Sequence, residues 1–251
     1  MLFRSGVSVV GRINASGHLV FAPNLGWPPV ELKQIVESAV GLPVAVENAA
    51  SACALAELWF GRLPDDVKHL AAVTISEGVG VGLLVNGQLI HGHNAMAGEF
   101  GHVPLVENGI PCPCGKRGCW EQYASNTATV RYYLGEQPGE RPAPAMTIEE
   151  VLRLAGEGDS RALEALDRAA HYIGLGMAPV MTGLAPQVVV VVGEITAAWP
   201  RIGPIVERTA RERSLPMIDT QIVATDQATQ PRLRGAVALV VQQHFGAPSV
   251  A

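Results

Sequence analysis

At 251 residues the chain is long enough to bury a real core, either as one large domain or as two lobes. Hydrophobic residues make up 48% against 16% charged, which excludes a disordered polymer. A net charge of −5, without any Lys/Arg-rich run, argues against a nucleic-acid-binding surface.

In chain order, residues 2–13 read as a strand, 14–17 as a turn and 18–22 as a second strand. Residues 23–29 form a Pro/Gly loop. A helical pattern follows over 29–40, closed by Gly41, and then a short buried strand over 42–46. The start of the chain lacks the plan of a signal peptide. Glu47-Asn48 opens an alanine-rich helix that ends at Gly61, with Asn48 as a natural N-cap. Residues 70–75, 79–85 and 88–91 are apolar or alternating, and Asn86-Gly87 between the last two is a strong hairpin signal.

The stretch 98–121 is the most informative. It holds Cys112-Pro-Cys114 and, after GKRG, Cys119, with His102 ten positions before the first cysteine. Thiolate and imidazole are the ligands zinc prefers, and four of them close a tetrahedral site without an open position. Gly115 and Gly118 supply the turn freedom. A disulfide and a chance cluster of buried cysteines are the competing readings, though three clustered cysteines leave one unpaired.

A helix should begin at 121–125, a Pro/Gly-rich surface loop should occupy 135–145, and Thr147 with Glu150 resembles a capping box. Helices are expected to 154 and from 160 to about 181. The longest uncharged run, 172–193, is interrupted by Pro179 and Pro186. It reads as a buried helix, a turn and the strand 188–192, not a membrane span. An amphipathic helix over 199–213, a strand over 222–225 and a last helix over 234–245 complete the chain, with no internal repeat.

Glu99-Phe-Gly-His102 followed by CPCGKRGCWE resembles the signature of the ROK family (repressors, open reading frames and sugar kinases). The resemblance implies that His102, Cys112, Cys114 and Cys119 bind a structural zinc. It also implies that Glu99, His102 and Glu121 line a sugar pocket, to which Asn48 adds an amide. Kinases of the family read Glu-Asn-Asp at the head of the alanine-rich helix, the aspartate acting as base towards the sugar hydroxyl. Here that position is Ala49, which has no group to take a proton. The turn Ser76-Glu77-Gly78-Val79-Gly80 stands where kinases usually carry Gly-Thr-Gly-Ile-Gly, and looks like the variant of the sugar-responsive repressors, xylose repressors among them. Thr74, Gly78, Gly80 and Gly193 are then remnants of nucleotide loops, and Glu77 places a like charge beside phosphates. A closely packed glycine-rich hairpin is the plainer reading of that turn. The resemblance also implies a strand-ending turn at Val9-Val10-Gly11, with Val10 where the family usually has proline and Asn14 where an acidic residue usually stands.

Neither the family's opening Asp-x-Gly-Gly-Thr strand nor a helix-turn-helix is present, so the resemblance implies an incomplete N-terminal lobe. The expected fold is α/β, of the actin-like ATPase, ribonuclease-H-like two-lobed class. Residues 1–47 would be a remnant of the first lobe, with the helix in 234–251 packing on it, and 48–233 the second lobe. The expected function is a sugar-binding effector module of a ROK regulator, cytoplasmic, dimeric or tetrameric, without DNA or membrane contacts of its own. The alternatives are an ATP-dependent, glucokinase-like sugar kinase and a degenerate structural zinc protein.

Overall fold

A computed structural model describes residues 4–22, 25–64, 66–135 and 146–245. The first half runs β1 (Ser5–Val9), β2 (Arg12–Ile13), β3 (Leu19–Phe21), α1 (Leu32–Val40), β4 (Val44–Asn48), α2 (Ala49–Phe60), β5 (Leu70–Ile75), β6 (Val79–Val85) and β7 (Gln88–Leu89). The second runs α3 (Glu121–Ala124), α4 (Asn126–Leu134), α5 (Ile148–Gly156), α6 (Ser160–Leu184), β8 (Val188–Val192), α7 (Trp199–Arg213), β9 (Gln221–Ala224) and α8 (Pro231–Phe245). Two compact units emerge. The first takes in the described residues of Met1–Val73, Val81–Gly98 and Ala228–Ala251, the second those of Thr74–Gly80 and Glu99–Gln227.

In the first unit β1 pairs in parallel with β4, from Ser5↔Val44 to Val9↔Asn48. The expected single strand over 2–13 is broken after Val9, and its described end turns to pair β2 with β3. The break falls at Gly11, whose φ is +112°. A Cβ there would lie 2.5 Å from the Phe21 carbonyl oxygen, so only glycine permits the crossing. Asn14 makes the following turn, its Oδ1 accepting the N–H groups of Ser16 and His18, each at 3.0 Å. Helix α1 starts at Leu32 and not at Pro29, because Val30 is held extended by its bridge to Leu19. Helix α8 lies on β1, β4 and α2. The alanine face of α2 is buried from Ala49 to Ala56, apart from the half-buried Ser51.

Strand β6 pairs antiparallel with β7, Leu84 opposite Leu89, and β8 pairs in parallel with β9, from Val188↔Gln221 to Val191↔Ala224. Asn86 and Gly87 both take positive φ, 51° and 71°, which gives the β6–β7 hairpin the turn its twist requires. Strand β8 is buried at every position, which suits an unbroken valine run. In the second unit α4, α5 and α6 share an apolar cluster of Val130, Ile148, Val151 and Ala162. Thr147 caps α5 by accepting the Glu150 N–H. Helix α6 continues through Pro179 to Leu184, past the expected end, because packing against α7 holds it across the hydrogen bond that proline removes. Of the expected loop over 135–145, Gly135 ends α4 at positive φ and 136–145 lie outside the described residues, as do 1–3, 23–24, 65 and 246–251. Among the described residues no helix is long and apolar enough to cross a membrane.

Candidate metal loop and sugar-facing residues

The loop of the second unit is tied by backbone hydrogen bonds. Leu105 N–H donates to the Gly118 carbonyl and Gly118 N–H to that of Ile110, both at 2.8 Å, and Cys112 N–H reaches the Lys116 carbonyl at 2.9 Å. The turns so made bring together the side chains of His102, Cys112, Cys114 and Cys119, whose ligand atoms all lie within 4.8 Å of one another. His102 Nδ1 is 3.5 Å from Cys112 Sγ, and the sulfurs of Cys114 and Cys119 are 3.6 Å apart. Metal–sulfur bonds of about 2.3 Å around a tetrahedral ion give edges of about 3.8 Å. The donor set therefore fits one closed, four-coordinate cation. All four cysteines are free, so the disulfide reading is not realised. Cys53, the fourth, is buried in α2, where burial pushes its thiol up to about 12.

The charges of the loop explain what a cation would do there. Burial raises the Cys112 thiol, and burial followed by the neighbouring thiols raises Cys119 to about 12. At Cys114 burial also acts upward but is outweighed by the Lys116 backbone N–H and by hydrogen bonds from the other two thiols, so its value falls. Three sulfurs this close cannot all ionise unaided, and a bound cation removes that conflict. Gln122 Nε2 donates to Cys112 Sγ at 3.8 Å. The exit of the loop is anchored by Trp120, fully buried, whose Nε1–H donates to the Tyr172 carbonyl at 2.8 Å.

Of the residues expected to face a sugar, Glu99 and His102 stand together, with Glu99 Oε2 3.9 Å from His102 Nε2, on the side of the ring away from Cys112. That leaves Nδ1 for the metal and Nε2 for outward contacts. Glu121 is 8% exposed, and its Oε2 accepts the Val79 N–H at 3.1 Å. Asn48 belongs to the first unit. Its Oδ1 caps α2 by accepting from Ala50 and Ser51 at 2.8 and 3.3 Å, and its Nδ2 donates to the Gly11 carbonyl at 2.8 Å. Ala49 follows as the first helical residue, buried and without a polar group.

The expected phosphate-loop remnants lie around the head of α4. Thr74 Oγ1 donates to the Gly80 carbonyl at 3.3 Å, and the Ser76 N–H closes the turn on Gly78. Asn126 N–H donates to the Ser76 carbonyl, and Thr127 Oγ1 donates to Glu77 Oε2 at 3.0 Å, which fixes that carboxylate on the turn. From β8, Gly193 leads into a short 3-10 helix whose Glu194 receives the Asn126 side chain at 2.8 Å. Asn126 and Thr127 escaped the sequence reading. Their only signal is the Ser125 cap that splits the expected single helix into α3 and α4.

The ROK family profile matches residues 2–243. The chain is 32% identical to a glucokinase of Halalkalibacterium halodurans over 213 residues, 81% of this chain and 64% of that protein. It is likewise 32% identical to the xylose repressor of Bacillus subtilis over 197 residues, 78% of this chain and 50% of the repressor. The chain thus spans between half and two thirds of the length of these relatives. Among solved structures, a ROK glucokinase from Streptomyces griseus in complex with glucose and AMPPNP superposes with a TM-score of 0.83 at 29% identity, covering 93% of this chain and 80% of that one. A ROK transcriptional regulator, a homolog of the E. coli MLC protein, superposes at 0.79 and 29% identity, covering 96% of this chain and 62% of the regulator. The α/β fold is that of the actin-like ATPases, and the chain belongs to the ROK family.

Proposed function

We propose that this chain is the sugar-binding effector part of a ROK-type transcriptional regulator and does not phosphorylate its sugar. The observation that carries the reading is the head of α2, where a buried Ala49 follows the capping Asn48 and offers no base to a sugar hydroxyl. Glu77, held on its turn by Thr127, adds a negative charge where a phosphate chain would need donors. Glu99, His102 and Glu121 would pair sugar hydroxyls, since carboxylate oxygens accept from several of them in fixed directions. His102, Cys112, Cys114 and Cys119 would hold zinc, which supplies a fixed scaffold and no chemistry of its own. The metal loop would thereby keep Glu99 and His102 in register. Assembly into a homo-oligomer belongs to the same reading, as does the lack of specific DNA binding by an acidic chain.

A coupled ADP-release assay over a panel of hexoses and pentoses, run beside calorimetry with the same sugars, tests this. Binding of at least one sugar without ADP release is the expected result. The kinase reading keeps support from the glucokinase relatives. Sugar-dependent ADP release that disappears in Glu99→Ala would establish it in place of the regulator.

A further inference from the structure

A cavity of the second unit has none of the residues named above for sugar or metal in its lining. It has a volume of about 620 Å3 and is lined by Arg117, Arg131, Arg168, Tyr123, Tyr132 and the stretch 108–111, with no carboxylate among its lining residues. That volume lies within the range of small-molecule sites. Three arginines in one lining, on a chain of net charge −5, are a local reversal of sign.

The walls are held in place. Arg131 is only 6% exposed, and its Nη2 donates to the Gln122 carbonyl at 2.6 Å. The Arg168 guanidinium lies over the Tyr132 ring, 4.2 Å from its centre. Tyr132 Oη donates to the Tyr123 carbonyl at 2.9 Å, and Tyr123 Oη accepts the Ile110 N–H at 2.8 Å. Neither Arg117 nor Arg168 joins an ion pair among the described residues, where the arginine pairs are those of Arg153, Arg201 and Arg211. Guanidinium forks of this kind match the oxygens of a phosphate in paired hydrogen bonds. The cavity is larger than a bare phosphate, and its aromatic wall suits an organic body.

We propose that this cavity binds a phosphate group, free or as a small phosphomonoester such as a hexose 6-phosphate, at a site separate from the sugar-facing residues.

The test is isothermal titration of the full chain with inorganic phosphate, with glucose 6-phosphate and with glucose, all at one ionic strength. Saturable binding of at least one of the two phosphates is expected, with the other arm deciding between free anion and ester. Arg168→Gln and Arg117→Gln, both at exposed positions, should each weaken that binding about tenfold or more, as befits a charge-assisted pair. The exposed Arg213→Gln, which removes the same charge elsewhere, should leave it unchanged, and circular dichroism should report all three variants folded. Absence of saturable binding to either phosphate overturns the proposal. So does equal weakening by all three substitutions, the mark of general charge attraction, and so does binding untouched by Arg168→Gln and Arg117→Gln.

Discussion

Trp120 and Gly176 share one space: a Cβ on Gly176 would lie 2.0 Å from indole Cε2 of the fully buried Trp120. The glycine in α6 therefore decides where the exit of the metal loop can anchor. Its absent side chain lets the ring lie against the helix, and the ring's Nε1–H then reaches the Tyr172 carbonyl one turn earlier.

Gly176→Ala should accordingly destabilise the chain by about 1–3 kcal/mol, the usual cost of overpacking a rigid core contact. Ala is the better helix former, so propensity alone predicts the opposite sign. Urea unfolding separates the two, since an unchanged or raised midpoint would mean that Trp120 moves aside freely.

Purified protein should carry about one zinc per chain, given four protein ligands and a closed geometry. Cys114→Ser should lose most of it and lower the melting temperature, and a chelator should do the same to the unaltered chain. Metal analysis that finds a well-folded chain free of zinc would count against the reading.

Glu121→Ala removes the acceptor of the buried Val79 N–H and leaves that donor unpaired. A loss of about 1–3 kcal/mol is expected from one orphaned buried group. Glu121→Gln keeps an acceptor oxygen and should lose less. Equal losses in chemical denaturation would show that the charge, and not the hydrogen bond, is what matters there.

His91 Nε2 lies 2.8 Å from Glu47 Oε2, and this hydrogen bond raises the imidazole above its usual value, with burial acting against it. Because the folded value is the higher one, the pair's stabilisation is fully present below the unfolded value of about 6.5 and is lost as pH rises through the raised folded value. His91 is half exposed, so solvent screening holds the effect below about 1 kcal/mol. The gap in melting temperature between the natural chain and His91→Gln should be wider at pH 6 than at pH 8. A gap of constant width would remove the titration from the account.

The metal loop was legible in the sequence because its information is local. His102, Cys112, Cys114 and Cys119 sit within one short stretch, and the spacing alone confines their side chains to one turn system. Helix α7 was legible for a related reason, since its apolar period and flanks state both ends of Trp199–Arg213. The pairing of β2 with β3 after Gly11, the last turn of α6 beyond Met181, and the meeting of Asn126 with Glu194 were not legible. Each depends on a partner outside the local stretch: β3 for β2, α7 for the end of α6, and the end of β8 for Asn126. The same holds for the arginine cavity, where Arg117, Arg131 and Arg168 come from a loop and two helices with no common period. Periodicity, caps and ligand spacing act over a few residues and can be read directly. Which distant side chains converge is decided by close packing, where the volume and shape of every neighbour must be satisfied at once.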